Sequence, residues 1–266
     1  MRRVERLIVG RTLASNCFDG VVLDTSGSTP YPLTKVNVDG KNIMALPIIV
    51  ERCPRDAMCS ELKEITILKE GDELKKACGG MSCQTPWPLR WKRFKKMLLV
   101  NNISIEMKNP TIIGSIKRLD LERKELLLRG GRKIEFAELV WTAPYDTLSS
   151  HLKLRKPRAL EATVTVVKGR AEWDVAYHFG KNNPVLSMVR YGDIIWALAP
   201  GSVDPRAMIS HAVRKGYLKE VSSFVSFTVR YYALSNEDIV VPEELTLKGR
   251  AAQWKEMSLE DLLKCV

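Results

Sequence analysis

The stretch from Thr111 to Trp141 constrains this chain more than any other. Apolar and polar residues alternate through Thr111–Leu121, Glu125–Arg129 and Lys133–Trp141, and the breaks fall at Glu-Arg-Lys and at Gly130-Gly131. Alternation with a period of two, interrupted by turn formers, specifies a β meander. A strand over Ile103–Met107 precedes it, closed by Asn109-Pro110. The last strand ends in Leu139-Val140-Trp141-Thr142-Ala143-Pro144, an apolar run that reads as buried. Pro144 stops that strand, because the residue before a proline is pushed out of the helical region, and a helix then begins near Asp146.

Strand patterns return over Ala159–Lys168, Val175–Phe179, Val185–Tyr191 and Ile194–Ala199, with a turn at Asn182-Asn183-Pro184. Asp204-Pro205 is a helix start, acid as cap and proline as first helical residue, for a helix to about Leu218. Phe224–Leu234 is a further strand. Upstream, Asp39-Gly40 marks a hairpin between Lys35–Asn42 and a return strand Ile43–Val50, which Pro47 interrupts. Thr25–Pro32 reads as loop and Glu51–Ser60 as irregular.

The N-terminus holds the first functional hint. Arg6–Val9 is a short buried strand ending at Gly10, and Gly20–Asp24 is a second one ending in an acid. In a dinucleotide-binding βαβ unit, an acid closes the second strand about 20 residues beyond the glycine loop and holds the ribose hydroxyls. Here Asp24 follows Gly10 by only 14 positions, and Arg11-Thr12-Leu13 stand where further glycines belong. The crossover is short and the phosphate loop eroded.

Charge points to an anionic partner or simply to a soluble basic surface. The net charge is +11, and a basic surface draws dinucleotides, sugar nucleotides, nucleic acids or acidic headgroups. The most basic stretch, Leu89–Met97, places Arg90, Lys92, Arg93, Lys95 and Lys96 among Trp87, Trp91 and Phe94. Rings interleaved with cations suit single-stranded nucleic acid. They equally suit an amphipathic helix with Trp91, Phe94 and Leu98 on its core face, and the helix is the favoured reading. No apolar run approaches the ~18–20 residues of a membrane span, and no signal sequence is evident, so a cytoplasmic protein is expected. Glutamine occurs twice in 266 residues, a lean toward a thermophile.

Of six cysteines, Cys53/Cys59 and Cys78/Cys83 form loose pairs. Free buried thiols are the favoured reading, with one or two disulfides or an off-pattern zinc site as alternatives. The three histidines lack metal-ligand spacing, no metal is expected, and no nucleophile elbow or P-loop occurs. No catalytic residue can be named.

Near the C-terminus a strand, a Gly249-Arg250 turn, Trp254 and a helix start at Ser258, with Asp261 at the capping-box position, follow in order. This run, together with the meander ending in Thr-x-Pro, resembles the superfamily of FAD-dependent amine oxidases, protoporphyrinogen oxidases and UDP-galactopyranose mutases. The resemblance implies an α/β (α+β mixed) chain: a reduced Rossmann-like FAD/NAD(P)-binding domain with a β meander, and a second β-rich substrate-type domain. It implies a discontinuous nucleotide-binding domain from 1–50, 103–150 and 240–266, a basic, cysteine-containing insert at 51–102, and the second domain at 155–235. Carried over by position, Gly10 and Arg11 meet the pyrophosphate, Asp24 the adenosine ribose, and Gly249, Arg250 and Trp254 the flavin. Arg190, Arg230 and Tyr232 face the substrate. Three readings follow: an FAD-dependent oxidoreductase or sugar-nucleotide mutase; a flavin-free scaffold or binding subunit, with a protein partner or a second copy; and a nucleic-acid binder acting through Arg90–Lys96.

Overall fold

The computed structural model describes residues 2–25, 34–55, 57–103, 106–257 and 261. The expected helix start at Ser258 lies outside them. In chain order the strands begin with β1 (Arg2–Val9), β2 (Val21–Asp24), β3 (Lys35–Val38), β4 (Lys41–Met44), β5 (Ile49–Val50) and β6 (Ala57–Leu62). They continue with β7 (Ile65–Lys69), β8 (Met97–Ile103), β9 (Thr111–Ile113), β10 (Ile116–Asp120), β11 (Glu125–Leu128) and β12 (Lys133–Trp141). The last are β13 (Ala159–Arg170), β14 (Val175–His178), β15 (Ser187–Tyr191), β16 (Ile194–Pro200), β17 (Lys219–Leu234) and β18 (Leu245–Leu247). The helices are α1 (Glu73–Ala77), α2 (Trp87–Arg90), α3 (Tyr145–Leu152) and α4 (Pro205–Arg214), with 3-10 turns at Leu13–Cys17 and Trp91–Arg93.

Contacts divide the chain into two units. The first comprises Met1–Tyr31, Ile105–Pro157 and Glu237–Val266, and the second Pro32–Ser104 and Arg158–Asn236. The segment 34–50, expected in the nucleotide-binding domain, is in the second unit. So is 51–102, which is part of that unit's core rather than a separate insert.

In the first unit the strand order is β10-β11-β12-β1-β2-β9, with β18 beside the end of β12. β12, β1, β2 and β9 are mutually parallel, and β18 is parallel to β12. One register line runs Leu247, Trp141, Val9, Leu23, so the returning C-terminal strand joins the sheet that β1 began. Alternation explains the outer hairpin β10–β11, which is antiparallel. The continuous apolar runs Leu7-Ile8-Val9 and Leu139-Val140-Trp141 explain the buried parallel centre, where both faces are covered. The strand expected over Thr111–Leu121 is broken in two at Gly114-Ser115: β9 pairs with β2, the Gly114 N–H continuing that ladder to the Asp24 carbonyl at 3.0 Å, whereas β10 pairs with β11.

The second unit is built on a six-stranded sheet, β17-β13-β16-β15-β14-β7, antiparallel except for β7 on β14. β16 shows how its residues divide. Ile194, Trp196 and Leu198 pack with Leu46, Leu62, Trp91 and Leu99, whereas Ile195, Ala197 and Ala199 pack under Met208, Ile209 and Ala212 of α4. Side chains alternate across a strand, so a wholly apolar run is a strand covered on both faces. Each large side chain so buried contributes about 1.5–3 kcal/mol relative to exposure. Asp204 caps α4 through the Arg206 N–H at 3.0 Å, as its position before Pro205 implies.

Three local expectations are corrected here. Cys53–Cys59 and Cys78–Cys83 are disulfides, with Cα atoms 6.0 and 5.9 Å apart, not free thiols. Ala57–Leu62, read as largely irregular, is a strand because β8 supplies a pairing partner that lies far off in sequence. Leu89–Met97 is not one amphipathic helix. α2 and a 3-10 turn end at Arg93, Phe94 is extended, and Leu98 belongs to β8. Among the described residues no helix is long and apolar enough to cross a membrane, and no cluster of metal-ligating side chains occurs.

Candidate anion site at the end of the parallel strands

Open parallel sheets bind ligands beyond the carboxyl ends of their strands. In the first unit those ends are Val9, Asp24, Trp141 and Leu247, and the segments that follow carry most of the residues singled out in the sequence. Gly10 leaves β1 at φ +104°, and its N–H donates to the Leu23 carbonyl at 2.9 Å. A Cβ there would sit 2.5 Å from the Ala143 nitrogen. Gly10 is therefore required by the approach of the Thr142-Ala143 backbone. Thr142 locks that approach, donating its hydroxyl to the Gly10 carbonyl at 2.6 Å while its N–H donates to Val9 at 2.8 Å.

Next in the chain, Arg11 forms no hydrogen bond or ion pair among the described residues, and its Nε is buried. The Thr12 hydroxyl beside it is also buried and without a partner among the described residues. Thr12 precedes the five-residue 3-10 turn, but its hydroxyl accepts no N–H from it as a cap would. A guanidinium and a hydroxyl, adjacent at a strand end and unused by the described residues, are donors suited to a phosphate or carboxylate oxygen.

The other positions are occupied from within. Asp24 is only 1% exposed. Gly249, at φ +100°, brings its Cα beside the 3-10 turn, where an added Cβ would lie 3.1 Å from the Ala14 Cβ. Arg250 is held by both carboxylate oxygens of Glu256, with Nε to Oε2 at 2.9 Å, and the two side chains are 17% and 8% exposed. Such a bidentate pair uses the same fork that would grip a phosphate. Trp254, at φ +52°, is 4% exposed. The Ala251 carbonyl of this turn accepts the Tyr145 N–H at 2.9 Å, fixing the start of α3.

FAD therefore does not fit these residues in the pose the resemblance implies. A helix N-terminus and close backbone approach normally bind the pyrophosphate, and here a single 3-10 turn with buried Leu13, Ala14 and Ser15 takes their place. The ribose acid is sealed, and the flavin-side arginine already has its carboxylate. Glu256 was missed in the sequence because nothing in a Gly-Arg pattern marks a partner six residues on. Thr12 was legible as a hydroxyl beside Arg11 at a strand end.

The three residues expected to face a substrate are not brought together. Arg190 lies on β15 and donates to the Trp173 carbonyl at 2.8 Å and to Asp174 at 2.7 Å. Burial works against the Asp174 carboxylate, but the N–H groups of Lys63 and Glu64 and then Arg190 bind it and hold its pKa below the usual range. Arg230 and Tyr232 lie on β17, with β13 and β16 intervening. The Arg230 side chain is largely exposed, and Tyr232 is fully buried against Trp87. The basic stretch is partly neutralised as well. Lys92 pairs with Glu73 and lies 4.8 Å over the Phe179 ring, Lys96 pairs with Glu61 at 3.4 Å, and Trp91 is buried. Arg90, Arg93 and Lys95 border the same segment.

No protein-family model matches the chain, and no curated protein matches it in sequence. Solved structures are similar in fold. PF1083 from Pyrococcus furiosus gives a TM-score of 0.55 at 10% identity, covering 92% of this chain and 90% of that one. A putrescine oxidase with redesigned cofactor binding gives 0.56 at 9% identity, covering 85% and 84%. Xcc4156, a flavin-dependent halogenase from Xanthomonas campestris, gives 0.54 at 9% identity, covering 96% and 67%. At these identities the likeness is one of fold: the chain shares its fold with these proteins, a putrescine oxidase and a flavin-dependent halogenase among them.

Proposed function

We propose that this chain is a ligand-binding protein on the flavoprotein fold, taking a phosphate-bearing anion at the end of β1 rather than FAD in the family's usual pose. The observation that carries this reading is the unused donor pair, Arg11 and Thr12, in place of the glycines. A glycine loop admits a pyrophosphate to the backbone, whereas a side-chain pair grips one compact anionic group. The net charge of +11 raises the local concentration of such ligands. The ligand class this supports best is a small phosphate-bearing anion, of which ADP is a convenient probe, since the sealed Asp24 gives a ribose no acid to hold it.

The test is a titration of the purified chain with ADP and with FAD, followed by calorimetry and by flavin absorbance. ADP is expected to bind in a salt-dependent manner, and Arg11→Ala to weaken it about tenfold, the value of one charge-assisted contact. FAD binding that quenches flavin fluorescence and needs Arg250 would overturn the proposal in favour of the second reading. That reading, an FAD-dependent oxidoreductase, is supported by the shared fold. A third outcome, strong salt-dependent affinity for single-stranded nucleic acid lost on charge reversal at Arg90 and Arg93, would move the function to the second unit.

A further inference from the structure

The second unit contains a cavity that none of these readings uses. β5 pairs with β8 only through Ile49–Leu99 and Val50–Leu98, and the Val100 N–H reaches the Ile48 carbonyl at 2.9 Å. Pro47 then ends the pairing, since it has no N–H to give. On that side of β8 the chain leaves a cavity of about 310 Å³. Its apolar walls include Leu46, Leu99, Ile194 and Trp196, all 5% exposed or less. The Trp196 indole N–H is committed to the Met44 carbonyl at 2.9 Å, so the ring is fixed and offers only apolar surface.

The polar lining has one sign. Lys35 lines the cavity, and among the described residues it forms no ion pair and no aspartate or glutamate lines the cavity. Asn101 also lines it. Its Nδ2 donates to the Ser60 hydroxyl at 2.7 Å, and its Oδ1 is buried without a partner among the described residues. A hydroxyl can donate or accept, so Ser60 serves the amide in either orientation and one amide atom stays unpaired in both. An anionic oxygen entering beside Lys35 selects the orientation in which Ser60 donates to Oδ1 and the Asn101 NH₂ is free to donate.

We propose that this cavity binds a small monocarboxylic acid with an apolar or aromatic body, the body against Trp196 and Leu99 and the carboxylate held by Lys35 and Asn101. Its size suits a ligand at the small end of the range for such sites. The proposal is independent of the anion site in the first unit.

Calorimetric titration of the full chain with phenylacetate, phenylacetamide and phenethylammonium tests it. Phenylacetate is expected to saturate, the amide to bind at least tenfold more weakly, and the amine to show no saturable heat. Lys35→Met should reduce phenylacetate affinity about tenfold and leave the amide unchanged. Asn101→Leu, checked for folding by circular dichroism, should weaken both. Three results would overturn the assignment: no saturable binding by phenylacetate, equal binding of acid and amine, or full affinity in Lys35→Met. Lys35 is exposed, so that variant is expected to fold.

Discussion

The two units solve the same problem, burying a sheet, with different margins. The six-stranded sheet of the second unit is covered on both faces at its centre, along the 12 residues of β13 and the seven of β16, and two short disulfide loops tie down segments around it. In the first unit the parallel centre depends on short strands, among them β2, β9 and β18, that meet at their carboxyl ends. There Gly10, Thr142 and Gly249 set how closely neighbouring backbones approach. A unit with long paired strands tolerates a local defect, and a unit closed by a few tight crossings does not. The same tightness leaves no open dinucleotide cradle among the described residues: groups that the resemblance sets against a ligand are packed.

The sharpest way to break this contrast is at two glycines. Gly10→Ala adds a methyl against the Ala143 nitrogen at a φ of +104°, and should cost roughly 3 kcal/mol, strain and overpacking combined. Gly71→Ala in the second unit meets the Phe179 carbonyl but without a left-handed backbone, and should cost less, about 1–3 kcal/mol. Denaturant unfolding compares them, and equal losses would erase the distinction. Lys76→Met comes next. Lys76 donates to the Gly180 and Asn183 carbonyls at 3.0 and 2.8 Å, and stranding them should cost about 2 kcal/mol by the same measurement.

Replacing Cys78 and Cys83 together by serine should cost about 2 kcal/mol, the chain-entropy value for so short a loop. A shift in denaturation midpoint too small to measure would mean that the long strands alone secure the second unit. The remaining effect, screened because the amine is only partly buried, is a pH dependence. Burial lowers the pKa of Lys76 to about 8 from 10.5, so the unfolded chain binds more protons between those values. Stability from this residue therefore rises as pH increases through that window and is flat below it. The difference in melting midpoint between the natural chain and Lys76→Met, followed across that range, isolates the residue.

Strand content was legible wherever period and turn chemistry agreed. The Asp39-Gly40 hairpin is formed with both residues at positive φ, 51° and 79°, as a two-residue turn requires. The return of Leu247 to the sheet of Ile8 was legible only through the resemblance, since no local signal specifies a parallel partner at such sequence distance. Ala57–Leu62 escaped notice because its pattern is weak without β8 beside it. At the candidate site, sequence located Gly10, Arg11, Asp24 and Arg250 at strand ends but was silent on accessibility. Burial of Asp24 and the grip of Glu256 on Arg250 are products of packing, and a list of residue types does not contain them.

The late pairing of β18 with β12 has a consequence for synthesis. Until Leu245–Leu247 leave the ribosome, the edge of Leu139–Trp141 on that side has no strand to meet it, although β1 already covers the other. A nascent chain halted short of that triplet displays an apolar, unpaired ribbon, the kind of surface that chaperones hold and that neighbouring copies adhere to. Three residues synthesised long after β12 thus decide whether that edge of the first unit is closed or adhesive.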